Sequence, residues 1–203
     1  MDLSTTARRV GLFGGTFDPP HNAHVELAGV ARDALQLDEV RWIPAGQPWQ
    51  KAREVTAAEH RAAMVALAIE GQAGFTLDRI EIERAGPSYT LDTVRQLQQA
   101  EPGASWFLVV GADQYAGLHS WRGWRELLQR VELAVAGRPG PHPPPDPEVL
   151  RHPHRVVPLP LRVVTSTEIR RRVAAGLPID HLVPPPVARY IDQHSLYTEG
   201  TAH

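Results

Sequence analysis

The chain reads as an α/β protein built on a doubly wound, mostly parallel sheet with helices on both faces. Three observations predict it. Apolar runs of strand length alternate with helix-like runs from end to end, the pattern of a parallel sheet covered by crossover helices. Near the N-terminus, an apolar run at Val10, Leu12 and Phe13 meets a helix-periodic run at Val25, Leu27, Ala28, Ala31 and Leu35 across a Gly14-Gly15 junction. The most strand-like run, Trp106 to Val110, ends on Gly111-Ala112-Asp113, and doubly wound sheets bind ligands at the carboxyl ends of such strands.

The elements follow in order. After the first strand and helix, a second strand is predicted over Val40 to Pro44, then a loop Ala45-Gly46-Gln47-Pro48-Trp49-Gln50-Lys51. Thr56-Ala57-Ala58-Glu59 has the spacing of a capping box and opens a helix through Met64, Leu67 and Ala68. Phe75 to Ile82 alternates and predicts a third strand. A helix follows Ser88-Tyr89-Thr90, carrying Leu91, Val94 and Leu97. Beyond the 106–110 strand come a short helix over Trp121 to Leu128 and a strand over Leu133 to Ala136. Residues 137–154 hold seven of the 19 prolines and predict a long surface loop. A last strand is expected over Val156 to Val164. Thr165-Ser166-Thr167-Glu168 then opens a helix that Gly176 closes, and Pro184 to Pro186 start a final helix through Val187, Tyr190 and Ile191. No internal repeat or linker divides the chain, so 1–203 reads as a single domain with 1–8 and 198–203 as flexible tails.

The chemistry concentrates in Gly14-Gly15-Thr16-Phe17-Asp18-Pro19-Pro20-His21-Asn22-Ala23-His24. Adjacent glycines let backbone approach a ligand closely. Pro19 and Pro20 disfavour helix before His21, so the helix opens at or near that residue. His21 and His24 then share a face of the first turn, where unpaired N–H groups and the helix dipole favour an anion. The stretch predicts a nucleotide-phosphate site. Zinc is the other reading of paired histidines, but three or four ligands are expected and the chain has no cysteine. The Walker pattern and G-x-G-x-x-G are both absent. Farther on, Thr165-Ser166-Thr167-Glu168-Ile169-Arg170 places hydroxyls and a planar guanidinium at another helix start, which suits phosphate oxygens as well as an ordinary cap. Lys51 is the single lysine among 21 basic residues; a flexible ammonium on a Gly/Pro loop suits a phosphate contact, and chance composition accounts for it equally well.

Composition narrows the class. With 42% hydrophobic and 22% charged residues the chain is an ordinary globular protein. A net charge of −2 gives no reason to expect nucleic acid or a membrane surface. Without cysteine there is no disulfide and no thiol catalysis. No window resembles a membrane span or signal core, so a cytoplasmic location is expected, with homo-oligomerisation left open.

The residues 14–24 resemble the G-[GT]-T-F-D-P-x-H-x-[GA]-H signature of the nucleotidyltransferase superfamily with the H-x-G-H motif, Ala23 standing where many members have glycine. Val164-Thr165-Ser166-Thr167-Glu168-Ile169-Arg170 resembles its second signature, I-S-S-T-x-I-R. Pro87-Ser88-Tyr89-Thr90, Gly111-Ala112-Asp113 with Trp121, the Ile43 to Lys51 stretch and Val183-Pro184 through Tyr197 are similar to bacterial nicotinate mononucleotide adenylyltransferases. The resemblance covers about residues 10–197 and implies a Rossmann-like domain. By that analogy Gly14, Gly15, Thr16, Phe17, His21, His24, Gly111, Asp113, Ser166, Thr167 and Arg170 surround ATP. Lys51, Tyr89, Thr90 and Trp121 receive the mononucleotide, with Trp121 stacked on the pyridine ring.

The implied reaction moves AMP from ATP to nicotinate mononucleotide, giving deamido-NAD and pyrophosphate. His21, His24 and Arg170 stabilise charge, and Mg²⁺ arrives on the ATP phosphates. The alternatives are a related transferase acting on phosphopantetheine, on an alcohol that yields a CDP-alcohol or on nicotinamide mononucleotide, and a nucleotide sensor without activity.

Overall fold

A computed structural model describes residues 7–47, 55–137, 144–158 and 164–198. Its elements in order are β1 (Arg9–Gly15), α1 (Asn22–Ala34), β2 (Glu39–Pro44), α2 (Ala58–Ile69), β3 (Phe75–Leu77), α3 (Ile80–Glu83), α4 (Thr90–Ala100), β4 (Ser105–Gly111) and α5 (Ala112–Ala116). A 3-10 turn (Leu118–Ser120) leads to α6 (Trp124–Arg130), β5 (Glu132–Gly137), α7 (Pro147–Leu150), β6 (His154–Pro158), α8 (Ser166–Ala174) and α9 (Pro185–Gln193).

The six strands form one sheet in the order β3-β2-β1-β4-β5-β6, and every neighbouring pair is parallel. The doubly wound expectation therefore holds, and the order reverses between β1 and β4. Side chains alternate across the sheet as strand geometry requires. On β4, Trp106, Leu108 and Val110 enter the core under α4 and α6. Phe107 and Val109 enter the opposite core, under α1 and α2. The central strands β1, β2, β4 and β5 are buried on both faces, which is why they read as nearly continuous apolar runs. A third cluster seats Ile169 of α8 and Val187 and Ile191 of α9 against Met64 and Ala68 of α2.

Several boundaries differ from the sequence reading. The predicted strand over Phe75 to Ile82 stops at Leu77, because Asp78 Oδ1 accepts the Ile80 N–H at 3.0 Å and turns the chain into α3. The Thr56 capping box does not form. Ala57 is the N-cap, with no side-chain cap, and Glu59 pairs with Arg79 at 2.8 Å instead. The helix predicted from Trp121 begins at Trp124, after an extended Trp121 and a left-handed Gly123. Within the expected 137–154 loop, α7 forms under an Asp146 cap. The last strand begins earlier, at His154, and is described as far as Pro158; the expected span beyond it, 159–163, lies outside the described residues. Among the described residues no helix is long and apolar enough to cross a membrane.

Candidate active site

A cleft of about 380 Å³ opens at the carboxyl ends of β1 and β4, the point where the strand order reverses. Its floor is residues 12–16 and 108–114, and one wall is formed by Glu81, Ser88, Tyr89, Thr90 and Trp121. Of the residues singled out by sequence, Gly14, Gly15, Thr16, His21, His24, Gly111, Asp113, Tyr89, Thr90 and Trp121 all line it. They come from β1, β4, α5, the starts of α1 and α4 and the turn before α6, so only the fold assembles them.

α1 starts where the two prolines require, with His21 as N-cap in extended conformation. The rings of His21 and His24 stack with centroids 3.6 Å apart and planes 21° apart. The His21 backbone N–H donates to His24 Nδ1 at 3.2 Å. With Nδ1 accepting, a neutral His24 ring carries its proton on Nε2 and can donate through it. Phe13 and Phe17 meet the His24 ring edge-on, at 6.1 and 5.2 Å. That packing fixes the ring before any ligand arrives.

The two glycines serve different ends. A Cβ on Gly15 would lie 3.0 to 3.3 Å from the Phe17 ring, whereas one on Gly14 would meet only the Ile43 carbonyl, at 4.0 Å. Gly15 thus makes room for Phe17, and Gly14 keeps the cleft floor open. Phe17 itself does not line the cleft. Its backbone is left-handed, with φ 51°, and its ring is buried against Phe13 and Trp42.

Ser166, Thr167 and Arg170 also stand outside the lining. Ser166 Oγ donates to the Pro19 carbonyl at 2.9 Å, and Arg170 Nη1 donates to the Asp18 carbonyl at 2.7 Å. Arg170 Nη2 reaches back to Thr167 Oγ1 at 3.2 Å. Thr165 caps α8 by accepting the Glu168 N–H. In this arrangement α8 braces the backbone just ahead of His21. Lys51 lies outside the described residues, as do Pro48, Trp49 and Gln50.

Two positioning groups escaped the sequence reading. Arg61 is 1% exposed, and its guanidinium donates to three carbonyls from separate loops: Thr56 at 2.8 Å, Thr16 at 2.9 Å and Gly46 at 3.1 Å. The available signal was an arginine on the same helical stripe as Met64, Val65 and Ala68. Glu81 lies at the cleft wall, 8% exposed, and accepts from Thr93 Oγ1 at 2.7 Å. Burial pushes its carboxyl above the usual carboxylate range, against the opposing pull of Thr93 and Arg84. Beside it, Ser88 Oγ accepts the N–H groups of Gly46 and Gln47 at 3.0 and 3.3 Å. Those bonds tie the loop after β2 to the entrance of α4.

Comparison with known proteins agrees with this geometry. The cytidylyltransferase-like family matches residues 12–172. A Methylibium petroleiphilum protein named "Probable nicotinate-nucleotide adenylyltransferase" is 56% identical over 94% of this chain and 92% of its own. A Bordetella pertussis protein of the same name is 44% identical, over 93% and 98%. Among solved structures, the nicotinic acid mononucleotide adenylyltransferase of Plasmodium falciparum complexed with NaAD superposes with a TM-score of 0.80 at 19% identity, covering 94% of this chain and 97% of that one. At that identity the likeness is one of fold.

Proposed function

The chain belongs to the cytidylyltransferase-like family, among its nicotinate-nucleotide adenylyltransferases, and on that premise we propose that it transfers AMP from ATP to nicotinate mononucleotide, releasing pyrophosphate and deamido-NAD. The observation that carries the reading is the stacked His21–His24 pair at the head of α1, opening onto the cleft at the switch point.

The 5′-phosphate of the mononucleotide is the nucleophile. One of its oxygens forms a bond to the α-phosphorus of ATP as the bond to the bridging α–β oxygen breaks, and pyrophosphate leaves with that electron pair. A phosphate monoester has its second pKa near ~6 and is largely ionised at pH 7, so no general base is required. What remains is in-line placement and stabilisation of charge on the α-phosphate. His24 Nε2–H supplies a donor there, and the positive end of the α1 dipole adds to it. Arg170 acts by holding the Asp18 carbonyl, which sets the height of the loop that delivers His21. ATP enters as its Mg²⁺ complex, the ion neutralising phosphate charge. Among the described residues no group of three or more His, Cys, Asp or Glu converges as a metal cage.

The test is a turnover assay with ATP and each of three acceptors: nicotinate mononucleotide, nicotinamide mononucleotide and phosphopantetheine. Pyrophosphate release with formation of the acid dinucleotide is expected. Turnover confined to phosphopantetheine, or with no acceptor at all, overturns the reading.

A further inference from the structure

We propose that His60 and His194 form a metal site that pins α9 to α2, taking zinc or another late first-row divalent cation. The site is separate from the cleft, since His60, Tyr190 and His194 do not line it. The inference therefore stands or falls independently of the reaction proposed above.

The fold brings the two histidines together from distant parts of the chain. His60 stands in the first turn of α2, while Tyr190 and the C-cap His194 lie one helical turn apart at the end of α9. The two helices are held against each other through Met64 and Ala68 on one side and Val187 and Ile191 on the other. Three rings converge above that contact. The centroids of His60 and His194 are 5.1 Å apart, those of Tyr190 and His194 4.1 Å, and those of His60 and Tyr190 5.8 Å. The His194 N–H donates to the Tyr190 carbonyl at 3.1 Å, which keeps residue 194 on the last turn. His60 and Tyr190 are half-buried and His194 is exposed, so an ion can reach the pair from solvent.

The spacing fits one ion. Two imidazole nitrogens on a tetrahedral centre, each about 2.1 Å from it, hold their ring centres about 5 Å apart. The observed separation of 5.1 Å meets that with neither helix displaced. By contrast, His21 and His24 stack at 3.6 Å, too close for both rings to point at a single ion. Tyr190 supplies the outer partner that a metal-binding histidine ordinarily has, its hydroxyl lying 2.9 Å from His60 Nδ1. In the tautomer whose Nδ1–H donates to that oxygen, Nε2 carries the lone pair a metal needs. Water completes the coordination, so binding is weaker than at a closed four-ligand site. Imidazole favours zinc, copper or nickel, whereas Mg²⁺ prefers oxygen, so the ion that accompanies ATP does not compete. Because α9 runs on to Tyr197, whose hydroxyl holds Asp18, the bound metal fastens α2 to the support of the loop ahead of His21.

The experiment records Tm and calorimetric zinc binding for the full, tag-free chain in wild type, His60→Gln, His194→Gln, Tyr190→Phe and His119→Gln. His119 is exposed on the 3-10 turn and serves as the control. Zinc at about a hundred times its Kd is expected to raise the wild-type Tm by roughly 5 °C, and Mg²⁺ at the same concentration is not. Either substitution at His60 or His194 weakens this binding at least about tenfold and removes most of the rise, because a single imidazole cannot chelate. Tyr190→Phe keeps the ring and weakens binding about tenfold, and His119→Gln behaves as wild type. Zinc binding and stabilisation that persist unchanged in both His60→Gln and His194→Gln overturn the site, as does a wild type that shows neither.

Discussion

Tyr197 Oη donates to Asp18 Oδ1 at 2.7 Å, tying the end of the described chain to the loop ahead of His21. Asp18 is 1% exposed. Its carbonyl is held by Arg170 and that of Pro19 by Ser166, so residues 18–19 are gripped from α8 and from the C-terminal turn together. Tyr197→Phe removes a single hydroxyl while keeping the ring. A buried bond of this kind contributes about 1–3 kcal/mol, so chemical denaturation should show a loss in that range. Turnover should fall with little change in KM for either substrate, because the loop sets His21 rather than a binding contact. A variant with unchanged kcat would reduce Tyr197 to a packing residue.

Two neighbouring arginines on α8 should behave oppositely. Arg170→Lys keeps a charge but loses the fork that spans the Asp18 carbonyl and Thr167 Oγ1. Small displacement of a catalytic loop costs up to about 10²-fold in rate, and a fall of that order in kcat is expected. Among the described residues Arg171 pairs along the helix with Glu168, its side chain 62% exposed, and Arg171→Ala should leave turnover within about twofold, as exposed pairs contribute little. Comparable losses in both variants would show that α8 acts through charge in general and not through the brace.

How much of this was legible in the sequence follows from which interactions are local. The strand-to-helix junction at Gly14 to His24 could be placed because proline, glycine and apolar periodicity act within a few residues. The sheet order could be anticipated in class because β1 and β4 read as apolar throughout, the mark of strands buried on two faces. The α3 turn could not, since Ile80 and Ile82 keep the alternation of a strand and only the Asp78 bond to Ile80 N breaks it. Phe17 looked like a ligand contact by position in the motif. Its ring turns inward because Gly15 leaves space beneath it. Arg61 acts through partners far away in sequence, Thr16 and Gly46, and periodicity carries no information on such pairings.

Glu81 gives the protein a stability signature in pH. Its carboxyl titrates above the usual range chiefly because it is buried, with Asp78 adding to the rise and Thr93, Arg84 and Ser88 opposing it. The folded state therefore holds the Glu81 proton more tightly than the unfolded chain does. Stability from this group is fully present below the ordinary carboxylate pKa and is lost as pH rises through the higher folded value. Glu81→Gln keeps an oxygen to accept from Thr93 and removes the titration. Melting temperatures taken across the acid-to-neutral range should fall less steeply for the variant than for wild type, and parallel curves would mean that Glu81 ionises in the fold without penalty.

His24 combines a structural and a chemical role, and two substitutions separate them. The ring accepts the His21 N–H through Nδ1, the reach-back contact of a helix start, which Gln at the same position can also make. His24→Ala loses that contact and the ring donor together. Loss of a cap of this kind costs about 0.5–2 kcal/mol, and loss of one preorganised donor to developing charge costs on the order of 10²–10³ in kcat. His24→Gln should regain most of the stability, because the amide oxygen can accept from His21. It should not regain turnover, because it neither stacks on His21 as the ring does at 3.6 Å nor packs on the Phe13 and Phe17 edges that hold the ring in place. Unfolding curves and single-turnover rates on both variants decide the matter: if Gln restores rate and stability in parallel, His24 works as a cap and its ring donor does not meet the charge at the α-phosphate.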